Sequence, residues 1–130
     1  MTIDKSVLVL GVGPDQGLGV ALCKKFANEG YKVFGCGRSE ENMKALEKIS
    51  TTNGSIKGLV ADVTDPDDVK GIFKSLDDSN TQLKSVIYNA GNNNAKPFLE
   101  MDLDFFQELW DVCAKGAFLI SQEAVPRLLK

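Results

Sequence analysis

Three glycines near the start of the chain have the spacing of a turn that can hold an anion. They are Gly13, Gly17 and Gly19, and the run from the first to the last reads Gly-x-x-x-Gly-x-Gly. Only glycine lets a phosphate group approach the main chain closely. The first turn of a helix also presents unpaired N–H groups with partial positive charge. A helix that begins at these glycines is therefore suited to bind a pyrophosphate.

The elements on either side of the glycines are in the order that this chemistry requires. The apolar run Val7–Leu10 predicts a strand buried on both faces, and Gly11 ends it. Apolar residues at helical spacing follow from Leu18 to Phe26, and Gly30 closes that segment. A merely structural turn is the alternative, because a glycine pattern alone is a weak signal. The order of strand, glycines and helix favours anion binding.

The residues after the second predicted strand, 31–35, bear on which dinucleotide the turn would hold. An acidic residue there binds the ribose hydroxyls of NAD, whereas a basic residue accepts the 2′-phosphate of NADP. No acid occupies positions 35–37, and Arg38 and Ser39 follow with a planar guanidinium and a hydroxyl. We therefore expect NADP, with NAD less favoured. The alternative is that Arg38 is a solvated surface arginine, and Asp15 would oppose phosphate binding unless it points outward.

Four motifs in order along the chain resemble the short-chain dehydrogenase/reductase family. Besides the glycine run they are Asp62-Val63 after a third predicted strand, Tyr88-Asn89-Ala90-Gly91 after a fourth, and the stretch from Trp110 to Phe118. The resemblance covers essentially all of residues 6–130 and corresponds to the family's N-terminal, cofactor-binding half. It implies an oxidoreductase that transfers hydride between a nicotinamide dinucleotide and a carbonyl or alcohol.

The resemblance also implies which residues bind the cofactor. The residue matching Asp62 meets the adenine, although Asp62 could instead cap its local turn. The residue matching Asn89 ties the central strands together, and the pair after it leaves room beside the nicotinamide ribose. Residues 92–94, all asparagine, are interpreted as loop only. The full predicted set is Gly13, Gln16, Gly17, Leu18, Gly19, Arg38, Ser39, Asp62, Val63, Asn89, Ala90 and Gly91.

The fold class expected from the pattern is α/β, of the Rossmann type. Predicted strands at 7–10, 31–35, 56–60 and 86–88 alternate with helical segments, which implies a doubly wound parallel sheet with helices on both faces. Candidate N-caps precede the second and third helices, and they are Ser39 and Asp65 followed by Pro66. The expected strand order is 3-2-1-4, so that a ligand crevice lies at the carboxyl ends of the first and fourth strands.

The sequence contains no residue that we predict to be catalytic. The family uses a serine and a Tyr-x-x-x-Lys pair, and neither Tyr31 nor Tyr88 precedes a lysine by four positions. Cys113 stands where the family has an asparagine in its proton relay. We expect residues 1–130 to form a single dinucleotide-binding domain, truncated and without the family's C-terminal catalytic half, and whether the chain is an enzyme stays open. The alternatives are a non-catalytic NADP-binding sensor or protein-interaction module, and a structural remnant that binds nothing.

Composition narrows the classes of partner. With 43% hydrophobic and 25% charged residues, the chain is long enough for one modest core. It has no apolar run near the ~20 residues of a membrane span and no signal peptide, which predicts a cytoplasmic protein without a membrane partner. A net charge of −3 without a basic stripe argues against nucleic acid. Three widely spaced cysteines and no histidine argue against metal and predict buried or half-buried thiols at Cys23, Cys36 and Cys113.

The last predicted helix, from Phe105 to about Leu119, is apolar on more than one side. One stripe at helical spacing contains Phe106, Leu109, Trp110, Cys113, Ala117, Ile120 and Ala124, and a second contains Phe105, Val112 and Leu119. In the family this helix packs against its counterpart in another subunit. We therefore expect a homo-oligomer that covers this helix, together with the exposed edge of the fourth strand.

Overall fold

The computed structural model describes residues 2–130 and contains one four-stranded parallel sheet. The strand order is β3-β2-β1-β4, as the sequence predicts. The strands are β1 (Lys5–Leu10), β2 (Lys32–Gly37), β3 (Ser55–Val60) and β4 (Gln82–Tyr88). β4 begins four residues before its predicted start. The prediction was based on an apolar run, and the first half of β4 contains the polar residues Gln82, Lys84 and Ser85.

In the described part of the chain, five α-helices connect and cover the strands. They are α1 (Leu18–Asn28), α2 (Glu40–Glu47), α3 (Pro66–Asp78), α4 (Leu103–Trp110) and α5 (Gly116–Leu128), with a short 3₁₀ turn at Phe98–Glu100. The predicted caps are present, since the side chain of Ser39 accepts a hydrogen bond from Asn42 N–H and that of Asp65 from Asp67 N–H. These caps satisfy helix N–H groups that would otherwise lack partners and so fix where each helix begins.

The sheet has a hydrophobic core on each face, which confirms the doubly wound arrangement. Successive side chains of a strand point to opposite faces. Leu8 and Leu10 therefore pack with α3 and α5, whereas Val7 and Val9 pack with α1 and α2. All four side chains are fully buried. Burial on both faces explains why β1 is an uninterrupted apolar run rather than an alternating one.

Two glycines bring the start of α1 against the end of β1. A Cβ atom on Gly19 would lie 2.6 Å from the carbonyl oxygen of Gly11, and Gly11 itself has φ +88. A side chain at Gly19 would force the helix and strand apart, and one at Gly11 would strain the backbone and collide with the main chain of Asn89 and Ala90. The glycine turn between them is thereby held at the carboxyl end of the sheet.

The last helical region differs from the single regular helix that the sequence predicts. A π turn at Asp111–Lys115 joins α4 to α5. Of the predicted stripe only Ile120 and Ala124 are buried, while Phe106 and Trp110 are 59% and 48% exposed. A π turn inserts about one extra residue, or about 100° of helix rotation. The apolar residues of α4 are therefore out of line with those of α5, and the prediction of one continuous stripe was wrong.

The cysteines divide into two kinds. Cys23 and Cys36 are buried, as predicted, and burial raises the pKa of each thiol to about 12. Cys113 is exposed, so the prediction of a buried or half-buried thiol was wrong there. It lies within the π turn, and α4 and this turn contribute no buried residue to the core. Within residues 2–130 there is no cluster of side chains suited to a metal ion and no helix long and apolar enough to cross a membrane.

Candidate functional site

An open cleft of about 790 Å³ lies at the carboxyl ends of all four strands. Its walls are the segments that follow β1, β2, β3 and β4, together with one side of α4 and its π turn. β1 lies between β2 and β4, and the connecting helices on its two sides cover opposite faces of the sheet, so a crevice opens at the carboxyl end of β1. This is the place at which the sequence predicts a ligand.

The structure brings most of the predicted site residues together in this cleft. Those that line it are Gly13, Arg38, Ser39, Asp62, Val63, Asn89, Ala90 and Gly91. The other four lie at the start of α1 rather than in the cleft wall. The side chains of Gln16 and Leu18 are exposed, Gly17 is the N-cap of α1, and Gly19 is a packing glycine.

The glycine turn has the properties of an anion cradle. α1 has no side-chain cap at Gly17, in contrast to α2, α3 and α4. Its first N–H groups are therefore left for an anion. A Cβ on Gly13 would meet no atom within 4 Å, so space is open on the cleft side of the turn. Asp15 is exposed. These residues fit the pyrophosphate of a dinucleotide.

Arg38 and Ser39 form the wall at the end of β2. Both are exposed, and in the part of the chain that the structure describes no ion pair engages Arg38. The Ser39 hydroxyl accepts a hydrogen bond from Asn42 N–H at 3.2 Å. The charge of Arg38 helps to lower the pKa of Asp62, which lines the same cleft. A free guanidinium beside a capped helix start is available for a phosphate.

Asp62 is held as an ionised carboxylate by its own turn. Its Oδ1 accepts hydrogen bonds from Thr64 N–H at 2.9 Å and from Thr64 Oγ1 at 2.7 Å. These bonds lower the pKa of Asp62, and the charges of Arg38 and Lys115 lower it further. The main-chain N–H of Asp62 in turn donates to Asp68 at 2.8 Å. Asp62 thus caps its local turn while it also lines the cleft, so the two interpretations made from the sequence are compatible.

Asn89 joins the two central strands where they end. Its main-chain N–H donates to Leu10 O at 2.8 Å, and its side-chain Nδ2 donates to Gly11 O at 3.0 Å. The side-chain bond is the strand tie that the resemblance implies for this position. It holds the Ala90-Gly91 segment against the glycine turn, and both segments form the floor of the cleft.

Several lining residues were not predicted from the sequence. They are Gly11, Val12, Cys36, Gly37, Asn42, Ala61, Thr64, Asn92, Asn93, Asn94, Glu108, Asp111 and Val112. Asn92–Asn94 are loop, as expected, but they also border the cleft, and their position directly after Gly91 was the available signal. Glu108 and Asp111 are three residues apart and share one helix face. The sequence does not indicate that this face of α4 borders the cleft.

Comparison with protein families shows to which family the chain belongs. The family model for short chain dehydrogenases matches residues 5–130. The chain belongs to the short-chain dehydrogenase family. A relative in this family is an NADPH-dependent pterin aldehyde reductase from Arabidopsis thaliana, 29% identical over 127 residues that cover 96% of this chain and 51% of the relative. A short-chain dehydrogenase/reductase of Pestalotiopsis microspora is 26% identical over 97% of this chain and 43% of its own length.

Solved short-chain dehydrogenase structures share the fold. One from Rhodopseudomonas palustris is 29% identical with a TM-score of 0.85, over 96% of this chain and 58% of that one. Another from Mycobacterium marinum is 26% identical with a TM-score of 0.86, over 95% of this chain and 49% of that one. This short-chain dehydrogenase chain therefore spans about half the length of the relatives that it matches.

Proposed function

We propose that the chain binds NADP(H) in the cleft and is the cofactor-binding part of an oxidoreductase. The observation on which this depends is Arg38, which lines the cleft at the end of β2 without an acid at positions 35–37. A 2′-phosphate on the adenosine ribose would lie against this guanidinium and the Ser39 hydroxyl. The relative from Arabidopsis thaliana that is named NADPH-dependent supports this preference.

The reaction that we propose for the complete protein is hydride transfer to a carbonyl or from an alcohol. A bound nicotinamide dinucleotide supplies or accepts the hydride, and the protein must supply a proton donor. Tyr88 is unsuited to that role, because its hydroxyl donates to the Val112 carbonyl and burial raises its pKa to about 12. We propose that this part of the protein binds and orients the cofactor and supplies no general acid.

A titration with NADPH and NADH tests the proposed cofactor. Wild-type chain, Arg38→Ala and the matched control Lys70→Ala, on the exposed side of α3, are titrated with NADPH and NADH by nicotinamide fluorescence. We expect NADPH to bind more tightly than NADH to wild type and Lys70→Ala. Loss of one charge-assisted phosphate contact should weaken NADPH binding to Arg38→Ala by about 1.5–3 kcal/mol. Equal affinity for the two cofactors in wild type contradicts the proposal.

The exposed apolar side of α4 and α5 supports a second proposal, which is association between chains. Phe106, Trp110 and Phe118 are each about half exposed or more, at 59%, 48% and 60%. Leaving large apolar side chains in water costs about 1.5–3 kcal/mol each. We propose that a second copy of the chain covers this surface. Light scattering coupled to size exclusion would contradict this if it showed a stable 14.1 kDa species at micromolar concentration.

The same surface favours the alternative function of a cofactor-binding interaction module without catalysis. The two functions differ in what the chain does with NADPH and a panel of ketones and aldehydes. We expect no saturable oxidation of NADPH by residues 1–130 alone. Turnover that purifies with the chain and is abolished by Gly13→Trp, which fills the cleft, would contradict the assignment of a binding role alone.

A further inference from the structure

The π turn between α4 and α5 leaves one carbonyl without its helical partner. In a regular α-helix the Val112 carbonyl would accept from Gly116 N–H, four residues on. Here Gly116 N–H donates to Asp111, five residues back. The Val112 carbonyl accepts instead from the hydroxyl of Tyr88, at the end of β4. A side chain of the sheet thus takes the place of the missing helical bond.

The surroundings of the Tyr88 hydroxyl are adapted to this contact. A Cβ on Gly116 would collide with the Tyr88 hydroxyl oxygen and lie 3.0 Å from Val63 Cγ2. A glycine is therefore required at this position for the tyrosine to reach the helix. The tyrosine is half-buried, and a buried carbonyl left without a donor costs free energy comparable to a lost hydrogen bond. The contact is therefore needed while the π turn persists.

The rotation of α4 relative to α5 is set by the π turn that joins them, and the other contact of α4 is on the surface, where the Lys96 ammonium lies 4.8 Å from the centre of the Phe105 ring. α5 is fixed by Ile120 and Ala124 in the core, whereas α4 has no buried residue. If the π turn relaxed to a regular α-helix, α4 would turn by about 100° relative to α5. Glu108 and Asp111, which border the cleft, would then leave its wall.

We propose that Tyr88 is a positioning residue whose hydroxyl holds the π turn and so fixes which residues of α4 face the cleft. The proposal rests on the proposed function only for its effect on cofactor affinity. Its effect on α4 is independent of any ligand. The residue acts through Val112 and does not itself line the cleft.

Trp110 provides a direct probe of the rotation of α4. It is the only tryptophan of the chain, it immediately precedes the π turn, and it is half exposed. Tyr88→Phe removes the hydroxyl and little else. Tyr31→Phe is the matched control, since Tyr31 is the other tyrosine and contacts the ring of Phe26 away from the cleft. Emission maximum and acrylamide quenching are measured without cofactor, and NADPH affinity is measured separately.

We expect Tyr88→Phe to change the emission and quenching of Trp110 and to weaken NADPH binding about five- to tenfold. Tyr31→Phe should match wild type in both. A second variant, Gly116→Ala, displaces the hydroxyl while keeping the tyrosine, and it should change Trp110 in the same direction even if Tyr88→Phe folds poorly. The loss of melting temperature from Gly116→Ala should also be smaller when Tyr88 is already phenylalanine, because the collision is then absent.

Wild-type Trp110 emission and quenching in both Tyr88→Phe and Gly116→Ala would overturn the proposal, even if the melting temperatures fell, because the hydroxyl would then only add stability. If wild-type chain binds no NADPH while Trp110 responds as expected, the proposed cofactor is wrong and the positioning role is supported. If wild-type chain binds NADPH while Trp110 does not respond to Tyr88→Phe or Gly116→Ala, the proposed cofactor is supported and the positioning role of Tyr88 is wrong.

Discussion

The side-chain amide of Asn89 donates a hydrogen bond to the main-chain carbonyl of Gly11 at 3.0 Å, across the junction of β4 and β1. The bond links the loop that follows one strand to the turn that follows the other. The two segments form the floor of the cleft, so the geometry of the candidate cofactor site depends on this contact.

Asn89→Ala should therefore affect both stability and binding. The half-buried Gly11 carbonyl loses its donor, which should cost about 1–3 kcal/mol of unfolding free energy. NADPH affinity should fall as well, because the floor of the cleft loosens. Asn53→Ala is the control, since it removes an exposed bond to Asn28 O at 3.0 Å far from the cleft. Chemical denaturation and NADPH titration of both variants check this, and unchanged binding by Asn89→Ala would show that the tie has no role in the site.

Gly13→Ala should separate binding from folding. A Cβ at this position meets no atom of the protein within 4 Å, and Gly13 lines the cleft. We expect a melting temperature close to wild type and NADPH affinity reduced about tenfold or more. Gly71→Ala on α3 is a matched glycine control with equally open surroundings. It should leave affinity unchanged and raise stability by about 0.5–1 kcal/mol. Equal affinities for Gly13→Ala and Gly71→Ala would place the ligand elsewhere.

Arg127 fastens α5 to α3 and should contribute to stability in a pH-dependent way. Its Nε and Nη2 donate to the two carboxylate oxygens of Asp77 at 2.8 and 2.7 Å. This pairing lowers the pKa of Asp77 in the folded state. Its contribution is therefore present at neutral pH and lost as the pH falls below the ordinary aspartate range, near 4.

Asp77→Asn tests that contribution. Because the Asp77 side chain is 55% exposed, solvent screening limits the expected loss at pH 7 to about 1 kcal/mol or less. The difference from wild type should shrink toward zero at pH 3. Melting temperatures at both pH values measure it, with Asp67→Asn on the exposed first turn of α3 as the control. A difference that grows on acidification would be opposite to the expected sign.

Tyr88 should lose its proton only in strongly alkaline solution. Burial, with the nearby charges of Cys113 and Asp62, raises its pKa to about 12. In the Tyr31→Phe variant Tyr88 is the only tyrosine, so absorbance at the tyrosinate band follows it alone. The folded state holds this proton more tightly than the unfolded state, so stability should fall as the pH rises from about 10 to 12. An ordinary midpoint near 10 would contradict the buried hydrogen bond to Val112.

Much of the fold could be predicted from the sequence because the local sequence pattern of each element agrees with its packing in the fold. Val7–Leu10 is apolar throughout since β1 is covered on both faces, and Asp65-Pro66 is both a cap and a helix start. The cleft followed from the same logic, because the ends of parallel strands meet at one edge of the sheet. Arg38, Asp62 and Asn89 could therefore be brought together before the structure was known.

The region after Gly91 was less accessible because it contains a π turn and a contact with a residue distant in sequence. Tyr88 and Val112 are 24 residues apart, and their hydrogen bond lies at the π turn. The spacing of apolar residues in α4 does not predict this turn. Cys113, which is exposed, lies in that turn, and Glu108, which borders the cleft, lies shortly before it. Patterns of apolar spacing assume a constant 3.6-residue period, and the π turn breaks it.

Amide-resolved NMR titration tests most directly whether the cleft holds NADP(H) with its 2′-phosphate at Arg38. With NADPH, the amide signals of Gly13, Arg38, Ser39 and Gly91 should shift together at one dissociation constant. NADH at the same concentration should shift Gly13 and Gly91 less and leave Arg38 and Ser39 near their free positions. Shifts of Arg38 and Ser39 that are the same with both cofactors, or shifts that map away from the cleft, would contradict the account.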